Sequence, residues 1–312
     1  MKIVASVIAI VGLYFLAPRL FEPQPFNSVM LWFPLILVVA LGQLLVVASG
    51  GIDVSVGSIL GCTAMTLGIV LKTNQEMPLW MMLGLCAAVG SVMGAINGAL
   101  VAYAKLPPLI VTIGTLATFR GIAFLMGQGQ TITGSSLPDS LGKLSNNGPQ
   151  VRELIFNWLL IAALVLSVVV YVFLKRTAAG RAIYAVGSQP EAANRRGLSV
   201  AKTHLLVYTV SGLMAGIGGM IYASRFGMVQ PDSAGRGLEL TVIAAVAIAG
   251  TKLTGGTGSV GRVAVSALLL SLLNVALSVF GVNADFQMLL YGSVLLVAVC
   301  ADGYARGRKV AA

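Results

Sequence analysis

The sequence predicts an all-α integral membrane protein of about ten transmembrane helices, some of them broken, and three observations predict it. Of its 312 residues 57% are hydrophobic and only 10% charged, with a mean hydropathy of +0.94. A water-soluble fold could not bury that much apolar surface. The apolar residues gather in runs close to the ~20 residues that cross a bilayer, separated by short polar turns. Glycine clusters, GGIDVSVGS at 50–58 and GGTGSVG at 255–261, fall between runs, where a permissive backbone breaks a helix.

Lys2 precedes an apolar run at 3–17 that ends at Pro18 without a small-residue cleavage pattern, so it reads as an uncleaved first span. Residues 27–49 make a second span that ends at GGIDVSVGS, and a third continues to Leu71. After a polar turn at 72–78 comes a fourth span, 79–104, and then Lys105, Pro107 and Pro108. The proline rings keep it from fusing with the fifth, 109–126. Residues 127–154 are polar with balanced charge, Lys143 and Arg152 against Asp139 and Glu153, which suits an external loop or a short surface helix. The sixth span is 155–174 and the seventh 205–224, where Gly212, Ala215, Gly216, Gly218 and Gly219 permit close helix packing. An external turn at 225–237 leads to a short eighth run, 238–250, and to TKLTGGTGSVGR at 251–262. Spans at 263–280 and 286–301 precede a basic tail at Arg306, Arg308 and Lys309, and the chain reads as one transmembrane domain, 1–312.

Between the sixth and seventh spans lies the longest polar interruption, 175–204, with Lys175, Arg176, Arg181, Arg195, Arg196 and Lys202 against one acid, Glu191. Basic loops stay in the cytoplasm. Inside it Pro190 and Glu191 open a short helix, proline suiting the first turn and the carboxylate the positive end of the dipole, and Gly197 closes it. With ten spans and both termini cytoplasmic, 13 basic residues fall inside: Lys2, Lys105, the six of the loop, Lys252, Arg262 and the three of the tail. Six fall outside, Arg19, Lys72, Lys143, Arg152, Arg225 and Arg236, and Arg120 stays in the membrane.

The net charge of +10 therefore reports topology, and no basic face with interleaved aromatics points to nucleic acid. Cys62, Cys86 and Cys300 sit in apolar runs at spacings that fit neither disulfides nor a metal, and His204 has no carboxylate neighbour. Gly256, Gly258 and Gly261 match GxGxxG but lack the strand-and-helix unit and the later acid, and Arg262 and Val263 stand where a phosphate loop needs Lys and Ser or Thr. No ATP site, cofactor or metal is expected. No nucleophile, base and orienting group converge, which disfavours a membrane enzyme.

The groups that carry chemistry in the apolar zone are few. Gly50, Gly51 and Gly57 surround Asp53, with Ser55 and Ser58 able to satisfy freed backbone groups. This break is either a wall of a translocation path or a turn with Asp53 capping the third span. Arg120 and Glu239 are costly in hydrocarbon and belong in a bundle interior or beside water, paired or functional. Gln43, Asn97, Gln128, Asn274 and Gln287 add uncharged hydrogen-bonding groups. Asn97 corresponds to Asn274, and Asp53 to Glu239, at an offset of five spans. Five is odd, so the two halves would lie in opposite orientations, as a five-plus-five inverted repeat.

GGIDVSVGS, PPLIVTIGTLATFRGIAFLMGQGQTI (107–132), GRAIYAVGSQPEAANRRGLS and GLELTVIAAVAIAGTKLTGGTGSVG together resemble the ribose, xylose, arabinose and galactoside type of permease subunit of bacterial ATP-binding-cassette importers, over nearly the whole chain. Within it Glu191, Ala192, Ala193 and, after three intervening residues, Gly197 resemble the cytoplasmic motif whose short helix docks into a cleft of the ATPase. The resemblance implies a multi-pass protein of the bacterial inner membrane, working as a pair of permease copies in membrane lipid. A cytoplasmic ATP-binding subunit and a periplasmic sugar-binding protein complete that assembly. The chain departs from the family in a short stretch before the first span, and in GSQPEAANRRG, where relatives often carry a Gly-Asn pair before Glu-Ala-Ala. The expected cargo is a small neutral pentose or hexose, whose hydroxyls exchange water for amides and hydroxyls without burying an ion. Gly50, Asp53, Ser55, Asn97 and Asn274 are the residues expected along its path. A nucleoside, a branched-chain amino acid or a furanosyl signalling molecule in the same importer class, and an ion-coupled secondary transporter, stay open.

Overall fold

The structure, a computed structural model, describes residues 2–283 together with positions 286, 289, 290, 292, 293, 296 and 300. Seven helices in it are long and apolar enough to cross a membrane. They are α2 (Pro23–Ala48), α3 (Val56–Thr73), α4 (Leu79–Ala102), α5 (Pro108–Gly127), α7 (Trp158–Arg176), α10 (Val200–Phe226) and α12 (Val260–Val279). The expected first span is α1 (Lys2–Leu16), shorter than these. The expected tenth, 286–301, and the basic tail lie outside the continuously described residues. The short eighth run is shorter still than the expected 238–250, and the segment 227–237 before it makes up the rest of that crossing. The run is α11 (Leu238–Ile248), 11 residues long, which at 1.5 Å per residue covers about 16 Å of a core about 30 Å thick.

α2 is the central post, with 89% of its apolar window buried against 28% in α4 and α5 and 33% in α7. A helix apolar all round belongs in the middle of a bundle, and only the outer helices leave large aliphatic faces open. α10 lies along α4 with no side chain between them. A methyl on Gly90 or Gly94 of α4 would collide with the carbonyl oxygens of Gly212 and Tyr208, and one on Gly212 or Gly216 with those of Gly90 and Cys86. The small residues expected to permit close packing therefore bring two backbones together at four-residue spacing. Gly219 does the same for α3, meeting the backbone of Leu60 and Ala64, while Gly218 meets the side chains of Val39 and Leu60.

The end of the bundle that carries 175–204 is here the basic end, and the opposite one the far end. At the far end, residues 127–154 fold into α6 (Asp139–Asn146) and the first strand of a small antiparallel hairpin, β1 (Gln150–Val151) with β2 (Leu154–Ile155). Asn27 of α2 ties the hairpin down, donating to the Glu153 carbonyl (3.1 Å) and accepting from the Ile155 N–H (3.0 Å). Ser224 Oγ donates to the Leu141 carbonyl (2.6 Å), and Ile132 pairs with Val229. Arg225, expected in an external turn, sits in the last turn of α10 with its guanidinium 3.7 Å from the Trp32 ring centroid.

At the basic end the polar interruption holds two helices where one was expected. α8 (Ala178–Ser188) begins at Thr177, whose hydroxyl accepts from the Gly180 N–H (2.9 Å). α9 (Pro190–Arg195) follows and ends as expected at Gly197, at φ +82°. There Leu198 N–H donates back to the Ala193 carbonyl (3.1 Å), the closing bond of a glycine helix stop.

Candidate functional site

Two broken helices meet inside the bundle. The first break follows α2. Gly50, at φ +89°, reverses the chain, and residues 51–55 run back beside the last turns of α2 with Gly51 N–H donating to the Val46 carbonyl (3.0 Å). Extended backbone at this depth must be satisfied by protein, and four helices supply the groups. The Gln43 carboxamide of α2, with its nitrogen toward the Asp53 carbonyl, brackets the Asp53 backbone at 3.1 and 3.3 Å. The Ile52 carbonyl accepts from Thr112 of α5 and from the Tyr208 hydroxyl of α10, both at 3.3 Å. Asp53 Oδ1 accepts from the Ser55 N–H (3.0 Å) and hydroxyl (2.7 Å), and Oδ2 from the Ser211 hydroxyl (3.2 Å). Asn97 Nδ2 of α4 donates to Ser55 Oγ at 2.7 Å. Asp53, Ser55 and Asn97 are fully enclosed.

The second break precedes α11. Gly235 (φ +71°) and Gly237 (φ +79°) turn the chain, and Glu239 Oε1 accepts from the Gly237 N–H at 3.1 Å. This break lies against the start of α3, where a methyl on Gly57 would collide with Glu239 Oε2 and the Gly235 carbonyl, and one on Gly61 with the Ala234 carbonyl. Arg120 of α5 donates from Nη1 to the same Ala234 carbonyl. Residues 227–237 therefore do not form the expected external turn but descend from the far end into the bundle. α3 and α11 start side by side and run in opposite directions, each opened by glycine and a carboxylate.

The 251–258 loop joins the two breaks to the basic end. Gly256 N–H donates to the Ala48 carbonyl at 2.9 Å, and a methyl on Gly187 of α8 would strike that carbonyl and overlap Gly256 N. Tyr184 of α8 donates to the Gly258 carbonyl (3.3 Å); burial raises its phenol, Arg262 partly opposing, so the hydroxyl stays a donor near neutral pH. α9 stands beyond this seat. Glu191, Asn194, Arg195, Arg196 and Gly197 are exposed, Ala192 half-buried and Ala193 buried.

Of the expected path residues, Gly50, Asp53, Ser55 and Asn97 come together at the first break. Asn274 does not. It lies 14 residues into α12, about 21 Å from its start, on a helix that packs chiefly against α1, α2 and α11. The sequence reading missed Ser211, Tyr208 and Thr112, whose signal is a polar group at one-turn spacing on an apolar helix. It also missed α8, where Ile183, Val186 and Gly187 mark one buried face.

Residues 26–299 match the family described as branched-chain amino acid transport system / permease component. The autoinducer 2 import system permease protein LsrC of Enterobacter sp. (strain 638) is 34% identical over 302 residues, 96% of this chain and 85% of that protein. The ribose import permease protein RbsC of Haemophilus influenzae is 34% identical over 273 residues, 88% of this chain and 83% of that protein. The fructose import permease protein FrcC of Rhizobium meliloti is 34% identical over 278 residues, 88% and 76% of the two. No solved structure matches. A match across nearly the whole chain, taking in both breaks and the α8–α9 loop, makes this protein a member of the permease-component family of that transport system.

Proposed function

We propose that the chain is the transmembrane subunit of an ATP-driven importer that carries a small neutral monosaccharide across the bacterial inner membrane. The observation that carries the reading is the seat of α8 and α9. α9 is the most exposed helix of the basic end, and behind it α8 touches the end of α2 backbone to backbone through Gly187 and Ala48. A push on Glu191, Ala192, Ala193 and Gly197 from a cytoplasmic ATP-binding subunit, which supplies the hydrolysis this chain leaves to it, reaches Gly50 and the Asp53 network without crossing a flexible side chain. Gly50, Asp53, Ser55 and Asn97 then form the inner closure of the path, shut in this conformation, and Asn274 lines it farther out. A periplasmic solute-binding protein delivers the sugar, and a second permease copy in the same lipid bilayer supplies the facing wall.

Ten spans with both termini cytoplasmic, arranged as two inverted halves, complete the reading. The antiparallel starts of α3 and α11, with Asp53 and Glu239 in like places, support the repeat. Arg236 sits at a break inside the bundle, so five basic residues rather than six are left for the periplasmic side, against the 13 inside. The cargo assignment is supported by the names of three relatives, which import autoinducer 2, ribose and fructose. Reconstitution with the cognate ATPase and a panel of binding proteins tests it. Uptake of a pentose or hexose is expected, and strict dependence on an amino acid or an ion contradicts it.

A further inference from the structure

The second break places exposed charge where hydrocarbon belongs. Gly61 of α3 packs against Ala234 and the Arg120 guanidinium, and it lies 11 residues before Lys72, about 16 Å from the far end of α3. Arg120 reaches the same level from α5, 12 residues past Pro108. Both positions are near the middle of a core about 30 Å thick. At and beside this level Asp232 and Arg236 are exposed and Arg120 is half-exposed. Arg120, Asp232, Arg236 and Glu239 stand close enough to interact electrostatically. Charges at that depth face a protein interior or water, because lipid tails cannot solvate them.

Beside Arg120 lies a patch of small residues, on a helix that elsewhere exposes Ile110, Ile113, Ile122 and Leu125. α5 leaves Gly114, Ala117, Thr118 and Gly121 exposed beside Arg120, and methyls on Gly114 and Gly121 would meet nothing. α7 instead exposes Val165, Val168, Val169 and Val172, and its exposed belt between Trp158 and Tyr171 is uncharged. That is a surface for lipid. One more group points to a ligand. Glu239 is only 9% exposed, and its Oε2 has no hydrogen-bond partner, a costly state for a buried carboxylate oxygen that a hydroxyl donor would relieve.

We infer that the water-filled path runs against α5 and the descending segment 227–237, and that Arg120, Arg236 and Glu239 are the charged groups the solute passes at mid-depth. This rests on the importer reading for the nature of the solute and deepens it. Glu239 accepts from a sugar hydroxyl, the guanidinium groups donate to others, and the small residues of α5 leave room for the ring.

Single cysteines test the inference, in a chain with Cys62, Cys86 and Cys300 replaced, assembled with its ATPase in liposomes. Arg236→Cys, Asp232→Cys and Ala117→Cys are expected to react with a charged, membrane-impermeant methanethiosulfonate about tenfold or more faster than Val168→Cys on α7, because only the first three contact water. Val168→Cys is expected to react with an apolar maleimide instead. Failure of both the Arg236→Cys and the Asp232→Cys variants to react with the charged reagent, whether or not the apolar one modifies them, overturns the inference. The labelling is independent of cargo. Charged-reagent labelling with no sugar uptake would retire the monosaccharide reading and leave the path where it is placed here.

Discussion

Asp53 ties the first break to α2 and to α10. Its carboxylate takes hydrogen bonds from Ser55, two residues on, and from Ser211, 158 residues on, while Gln43 brackets its backbone. Asp53→Ala removes the acceptor from three donors that stay buried. At 1–3 kcal/mol for each unsatisfied buried group, partly relieved by relaxation, a loss of about 3 kcal/mol follows. Asp53→Asn keeps one carbonyl acceptor and is expected to lose less. Thermal unfolding in detergent should rank wild type above Asp53→Asn above Asp53→Ala, and equal midpoints would show that the network contributes nothing. Asp53 and Ser55 were legible because the acid, the serine and the glycines are contiguous in GGIDVSVGS. Tyr208 and Ser211 were not, since a hydroxyl on an apolar helix looks the same whether it bonds its own backbone, as Thr209 does to the Leu205 carbonyl, or reaches across the bundle.

Among the elements, the α4–α10 pair is the most constrained. Gly90, Gly94, Gly212 and Gly216 let carbonyl oxygens lie where a methyl would be. Gly94→Leu is expected to cost about 3 kcal/mol or more, as overpacking does when backbone and not a side chain must move. The check is the monodisperse fraction after solubilisation, set against Gly84→Leu, at a position of the same helix where a methyl meets nothing. Equal yields would contradict the packing. Seven spanning helices and α9 were legible from run length, proline and glycine. α11 was legible as a short apolar run, but the descent of 227–237 into the bundle before it was not, because hydropathy counts apolar residues without their depth. α8 was hidden by the charges around it. Lys175, Arg176 and Arg181 mark the stretch as polar, although Ile183 and Val186 already give it a buried face.

For the whole molecule, the positive-inside orientation predicts that the two ends of the bundle face different compartments. Asn146→Cys at the far end and Arg181→Cys in α8 are both at exposed positions and are expected to label from opposite sides with an impermeant reagent; labelling of both from one side would contradict the topology. The central claim is that ATP hydrolysis reaches the path through α9. It is tested most directly by sugar uptake and ATP hydrolysis measured together in liposomes that contain the permease, its ATPase and a loaded binding protein. Ala192→Trp, which adds bulk where the helix meets its partner, and Glu191→Lys, which reverses the charge at its N-terminal end, are the variants. The account predicts that both insert and fold but lose most of their uptake and most of the hydrolysis that the loaded binding protein stimulates. Variants that couple the two as well as the parent does would contradict it, and would make the α8–α9 loop a connector.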